Sequence, residues 1–160
     1  EISNAEFFIN DSSAQAINKF ILAYDEVSLV NVHAEAGYHL QEKVRLIVKG
    51  DYFRYSMKVE SKAWHKPSFI GTLTTTYTLT RELQLKSDIF MFLDRYAKDQ
   101  LGNTVALKNI FDINLGADYR ISPTFSVFAN INNLAALRYQ KWLNYPMQRF
   151  NAMAGLSYSF

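Results

Sequence analysis

Phe111-Asp112-Ile113-Asn114-Leu115-Gly116-Ala117-Asp118-Tyr119-Arg120-Ile121 is the stretch on which the fold turns. Every odd position is apolar and every even one is polar, charged or glycine. A period of two is what a β-strand with unlike faces requires, because successive side chains leave a strand on opposite sides. No helical stripe of comparable length competes with it.

The same alternation extends in both directions. Toward the C-terminus, Phe125, Val127, Ala129 and Ile131 oppose Ser126, Asn130 and Asn132, with Phe128 interrupting the polar face. Phe150, Ala152, Ala154, Leu156, Tyr158 and Phe160 then oppose Arg149, Asn151, Gly155, Ser157 and Ser159. Toward the N-terminus, Leu83, Leu85, Ile89, Met91 and Leu93 oppose Gln84, Lys86, Asp88 and Asp94, while Phe69, Leu73, Tyr77 and Leu79 oppose threonines from Thr72 to Thr80. Val44, Leu46, Val48 and Tyr52 oppose Arg45, Lys49 and Asp51. Val30, Val32, Ala34, Ala36, Tyr38 and Leu40 oppose Asn31, His33, Glu35 and His39, in a strand whose register reaches back to Phe20. With a short candidate at Asn4 to Asn10, the chain predicts eight antiparallel strands.

The connections alternate in length. Leu40-Gln41-Glu42, Thr80-Arg81-Glu82 and Ile121-Ser122-Pro123 are tight turns, whereas 58–67, 97–105 and 133–146 are long and rich in charge or aromatics. Tight turns on one rim and long loops on the other is the layout of outer-membrane barrels, with the tight turns periplasmic. A repeat reinforces this reading. Tyr38-x-Leu40, Tyr77-x-Leu79, Tyr119-x-Ile121 and Tyr158-x-Phe160 recur once per hairpin on the apolar face. Tyr38, Tyr77, Tyr119, Tyr158 and Phe160 are thus candidates for a periplasmic aromatic girdle, since a phenol is apolar in body and wet at its tip. At the other rim, Trp64, His65, Tyr139, Trp142 and Tyr145 are candidates for stacking on a ligand or for anchoring in the membrane interface.

A soluble barrel of lipocalin kind alternates as well, but with its apolar face inside. The banded tyrosines and strands longer than those of ordinary sheets favour the inverted arrangement, with the apolar face toward lipid. Bulk composition is compatible with either. Of 160 residues, 49% are apolar, 15% aromatic and 20% charged, and the formal charge of +2 gives no reason to expect a nucleic-acid partner. There is no cysteine, hence neither a disulfide nor a thiolate metal site. The longest apolar run, Ile89 to Leu93, is far below the roughly 20 residues of a spanning helix.

Few residues invite chemistry. His33, Glu35 and His39 share the polar face of one strand and are weak metal candidates, with hydration and ion pairing to Arg45 or Lys49 as the simpler role. The rim lysines Lys58, Lys62, Lys66, Lys98 and Lys141 suit lipopolysaccharide phosphates. Neither Gly-x-Ser-x-Gly nor His-Glu-x-x-His occurs, and there is no Gly-rich phosphate loop. The expectation is a protein that is not an enzyme and carries no cofactor.

The C-terminal third carries a family resemblance. Leu115-Gly116-Ala117-Asp118-Tyr119-Arg120, Phe128-Ala129-Asn130-Ile131-Asn132-Asn133-Leu134 and the run from Arg138 through Trp142 to Tyr145-Pro146 resemble the final strands of TonB-dependent receptor barrels, in the style of Bacteroidetes proteins. Gly155-Leu156-Ser157-Tyr158-Ser159-Phe160 is similar to the aromatic C-terminal signal read by the barrel-assembly machinery. The match covers about the last 55 residues, and Ala135-Ala136 departs from it where the family commonly has a bulkier residue and Asn. The resemblance implies a bacterial outer-membrane location, lipid and lipopolysaccharide as surroundings, and uptake of a nutrient such as a chelate or glycan. It also implies a plug and a TonB-engaging segment that these 160 residues do not contain, so a gene extending upstream is expected. All of residues 1–160 are then one barrel segment running to the C-terminal strand. The other readings are a small stand-alone outer-membrane barrel (scaffold, adhesin or complex subunit) and the soluble binding barrel.

Overall fold

The computed structural model describes residues 2–10 and 20–160. Its twelve strands are β1 (Ile2–Asn10), β2 (Phe20–Leu40), β3 (Val44–Met57), β4 (Phe69–Thr78), β5 (Leu83–Leu93), β6 (Arg95–Lys98), β7 (Thr104–Leu107), β8 (Ile110–Arg120), β9 (Phe125–Asn132), β10 (Gln140–Trp142), β11 (Tyr145–Pro146) and β12 (Asn151–Tyr158). Eight of them form one antiparallel sheet in the order β1-β2-β3-β4-β5-β8-β9-β12, and these are the eight strands that the alternation predicts. The other four make two small hairpins, β6–β7 and β10–β11, inside long connections. The sheet is open, with β1 and β12 as its edges.

Small polar side chains and left-handed backbone close the tight turns. Gln41 adopts φ 47°, and the Lys43 amide donates to the Leu40 carbonyl at 3.2 Å. The Thr80 hydroxyl accepts from the amides of Glu82 (3.2 Å) and Leu83 (3.1 Å), and the Ser122 hydroxyl from Phe125 (3.1 Å). Such hydroxyls satisfy amides that a two-strand ladder leaves over at its end.

The apolar face is not a buried core. Val32 is 58% exposed, Leu115 39% and Leu156 69%, and Ala154 is exposed as well, so these residues do not meet in a dry centre. The arrangement is not that of a soluble barrel, whose apolar face fills the interior. From Leu40 up to Val30, β2 turns an unbroken apolar row outward. Those ten steps span about 33 Å along a strand, or about 25 Å in height at a barrel tilt near 40°. That is the height of a bilayer's hydrocarbon band.

Above this band β3 reverses its pattern. On β3 the outward series Val44, Leu46, Val48, Gly50 and Tyr52 gives way to Arg54 and Ser56. The inward series changes with it, from Arg45, Lys49 and Asp51 to Phe53, Tyr55 and Met57. The sequence alternation places the end of this strand at Tyr52, but the strand continues to Met57 because period two persists while its polarity flips. Tyr55 and Met57 pack against Val27, Ala63 and Trp64, the buried cluster of the upper region. β1 belongs to this region, since it pairs only with the upper end of β2, from Ile2↔Ser28 to Asn10↔Phe20.

Candidate functional site: lumen face and loop cap

Pairing register brings the polar residues of successive strands into rows across the inner face. Glu35, Lys49 and Thr72 form one row, with Phe90 and Asp112 continuing it. Lys49 binds Glu35 at 3.0 Å, His33 Nδ1 meets Asp51 at 2.7 Å, and Lys86 binds Asp118 at 2.8 Å. The Thr74 hydroxyl donates to Asp88 at 2.7 Å, and the Asn132 amide to Asn151 at 2.9 Å. Complementary groups placed directly or diagonally across a ladder explain the network without any ligand. His33 and Glu35 approach to 3.9 Å, but His39 stands six residues beyond His33 along the same strand, opposite Arg45. No trio of His, Asp or Glu side chains converges on a metal position among the described residues.

The long loops do not splay; they pack into a cap. At its centre Trp64 is 2% exposed, and its indole N–H donates to Glu60 at 2.9 Å. Lys98 reaches the same carboxylate at 3.0 Å and stands 5.8 Å from the Trp64 ring centroid. Asp25, also buried, accepts the amides of Val59 (3.0 Å) and Glu60 (2.6 Å), so β2 fixes the start of loop 58–68.

His65 and Arg95 join this cap to the loop after β9. The His65 backbone, held at φ 62°, donates to the Tyr96 carbonyl at 2.6 Å. Its Nε2 accepts the Leu143 amide at 3.2 Å, which requires a neutral ring, and the ring lies 5.0 Å from that of Trp142. Arg95, only 3% exposed, donates to the carbonyls of Lys108 (2.8 Å), Gln140 (3.0 Å) and Lys141 (3.2 Å). A buried guanidinium needs such acceptors, because unpaired it would cost several kcal/mol.

Beside this knot the Tyr139 hydroxyl donates to Asp112 at 2.5 Å, tying the cap to the lumen face. Burial, then the hydrogen bond and charge of Asp112, push the Tyr139 phenol up to about 12. In the β6–β7 turn, the Asn103 amide (2.7 Å) and the Leu101 amide (2.9 Å) hold the Asp99 carboxyl below its usual range.

The rim candidates therefore separate. Trp64 and His65 lie inside the cap, where neither ring is open to a ligand or to lipid. Tyr139 and Trp142 are half-buried at the cap's junction with the lumen, and Tyr145 is 38% exposed on β11. Tyr38, Tyr77, Tyr119 and Tyr158 are all exposed on the outer face at the tight-turn end, with the Tyr158 and Phe160 rings 6.4 Å apart. The residues that organise the cap, Asp25, Glu60 and Arg95, escaped the sequence reading, because a lone charge near a strand end looks like any solvated one. Asn133 did stand in the family-like stretch. It is 2% exposed, accepts the Leu137 amide at 3.0 Å and donates to the Leu137 carbonyl at 3.0 Å. Ala136, where the family pattern has Asn, sits at φ 49°, a left-handed conformation that suits Asn better than alanine.

With this geometry the chain superposes on solved siderophore receptors. It follows a chain of the FpvAI–pyocin S2 complex over 98% of its own length, with a TM-score of 0.73 and 14% identity. It follows the ferripyoverdine receptor of the outer membrane of Pseudomonas aeruginosa over 97%, at 0.72 and 13%. The siderophore receptor PiuA of Acinetobacter baumannii is matched over 98%, at 0.69 and 15%. The fold is that of a TonB-dependent receptor barrel. This receptor-type segment spans only a fraction of those proteins, 23% of the Pseudomonas chain and 25% of PiuA. No family model and no curated protein matches the sequence itself.

Proposed function

We propose that this chain is part of the barrel of a TonB-dependent receptor in a bacterial outer membrane, and that the intact protein takes up a scarce nutrient. The observation that carries the reading is the superposition of nearly the whole chain, wall and cap together, on receptors for ferripyoverdine and other siderophores. A ferric chelate is the first substrate class to test, with a glycan as the second. The apolar outer wall supports residence in a bilayer, and the ion-paired inner face supports a polar lumen. Tyr38, Tyr77, Tyr119, Tyr158 and Phe160 then serve as the periplasmic girdle, and β12 as the strand recognised during assembly. TonB would act through a plug outside these residues.

The open sheet supports a larger barrel. Between Val30 and Leu40 the edge of β2 that faces away from β3 has no partner among the described residues, because β1 pairs only above it. In hydrocarbon each unpaired amide or carbonyl costs several kcal/mol, so in a membrane this edge needs a partner. The test is radio-iron uptake from a panel of ferric chelates, by cells with and without the gene, before and after the proton gradient is collapsed. Gradient-dependent uptake of at least one chelate is expected. If the protein reaches the outer membrane but moves neither chelates nor glycans, the transport reading fails.

A further inference from the structure

The polar face of β4 is a column of one residue type. Thr72, Thr74, Thr76 and Thr78 stand one above another, over about 20 Å of strand. Their register partners are bulkier on both sides, with Lys49 and Arg45 on β3 and Phe90 and Lys86 on β5. The short hydroxyl side chains therefore form the floor of a lane between taller walls. At its foot, beside the tight turns, the lane opens into a concavity of 630 Å³. One row of the sheet crosses it, His39, Arg45, Thr76 and Lys86 on four successive strands. With strands about 4.8 Å apart, that row is about 14 Å wide.

Charge is spread unevenly along this face. Higher up, the acids each have a donor of their own: Lys49 for Glu35, His33 for Asp51, Thr74 for Asp88 and Tyr139 for Asp112. At the foot, Lys86 is matched by Asp118 at 2.8 Å. Lys43 and Arg45 are exposed, and among the described residues neither lies within ion-pair distance of an acid, Glu42 of the same turn included. His39 is exposed beside Arg45. An anion moving down the lane thus passes from acids that are already engaged to positive charge that is not compensated. A concavity lined by one sign of charge concentrates the field further.

We propose that Lys43 and Arg45, helped by His39, Thr76 and Thr78, hold an anionic ferric chelate at the tight-turn end of the lumen, as a second station reached after loading from the long-loop side. The inference rests on the transport reading, and adds the sign of the substrate's charge and the place where it pauses before release. A guanidinium and an ammonium bind carboxylate or catecholate oxygens through charge-assisted hydrogen bonds. A row about 14 Å wide takes a chelate with several such oxygens. An acidic protein segment would use the foot but has no need of the column above it, so the lane favours a ligand that travels.

The test is radio-iron uptake by cells carrying the intact protein, with ferric citrate and a ferric tris-catecholate as anionic probes and an uncharged ferric trihydroxamate as control. In the double variant Lys43→Gln, Arg45→Gln, the maximal rate for the anionic probe that the parent transports should fall about tenfold. Uptake of the uncharged probe should not change, and neither should binding of the anionic one to cells whose proton gradient is collapsed. Arg45→Lys, which keeps the charge, should transport at close to the parent's rate, and every variant should keep the parent's heat-modifiable migration. If the double variant does not assemble, Arg45→Gln alone is read in the same way, with a fall of about threefold. An unchanged rate overturns the station, and so does a parent that carries only the uncharged probe. An equal fall for the uncharged probe would assign the cations to a contact with another protein segment. A matching loss of binding to de-energised cells would assign them to the loading site, and either result overturns the proposal. A parent that reaches the outer membrane and carries none of the probes removes the transport reading itself, and this inference with it.

Discussion

The wall and the cap are built from the same strands and obey opposite rules. Along the wall, β2 and β3 turn Val30, Val32, Val48 and Tyr52 outward and keep Glu35, Lys49 and Asp51 inside. In the cap, β3 turns Arg54 and Ser56 outward and packs the partly buried Tyr55 and Met57, with Val27 of β2, around Trp64. One driving force accounts for both, since apolar surface is removed from water wherever water happens to be. Below, water is in the middle; above, it is outside. The contrast shows that strand polarity reports the solvent and not the fold.

Three substitutions break or sharpen that contrast. The largest effect is expected from Trp64→Ala, which empties the cap's centre and strands Glu60 beside Lys98. A loss of about 3–5 kcal/mol is expected from cap packing. It would register as rapid proteolysis within loop 58–68, while heat-modifiable gel migration of the barrel is retained. Loss of the barrel at the same time would mean that wall and cap are one cooperative unit.

Leu115→Arg does the reverse. A cation at mid-wall facing lipid should cost about 2–4 kcal/mol of membrane stability, measured by urea unfolding in vesicles, and leave the cap resistant to protease. Thr72→Arg, on the inner face opposite Lys49, is the matched control and should cost much less. Equal costs would mean that the two faces are exchanged. Asn114→Arg is a poorer control than its place on the polar face implies, because the Asn114 side chain accepts the Asn133 amide at 2.9 Å.

The smallest effect belongs to the junction. Tyr139→Phe removes one hydrogen bond to a charged acceptor, worth about 1–3 kcal/mol. Its pH dependence follows from the direction of the shift. The phenol's pKa is 10.0 in its ordinary state and about 12 here, so between these values the folded protein keeps a proton that the unfolded chain releases. Stability from this bond is therefore complete below pH 10 and falls as pH rises toward 12. The gap in unfolding midpoint between parent and variant should narrow over that interval. A gap independent of pH would mean that the contact with Asp112 is not what holds the loop.

The wall was legible in the sequence because its signal is collective. Six alternating apolar positions from Phe111 to Ile121 cannot all be coincidence, and Tyr38, Tyr77, Tyr119 and Tyr158 recur at one height. The cap was legible only in part. Its strands kept the period, but the switch at Tyr52-Phe53-Arg54 reads as the end of a strand unless a change of solvent is expected there. Trp64 and His65 stood out as rim aromatics, yet nothing local tells a buried indole from one at an interface. Asp25, Glu60 and Arg95 act through contacts distant in sequence, and a single charged letter carries no trace of its partner.

Arg95 has a consequence for how such a surface diverges. Its guanidinium gathers carbonyls from the segment between two strands and from the hairpin after β9, and it has almost no access to water. Shortening either segment alone would strand a cation in a dry place, so a viable change must alter all three partners at once or remove the arginine first. The outward coat of this protein should therefore be inherited as a block, and grafts of single loops between relatives should fail where grafts of the whole set succeed.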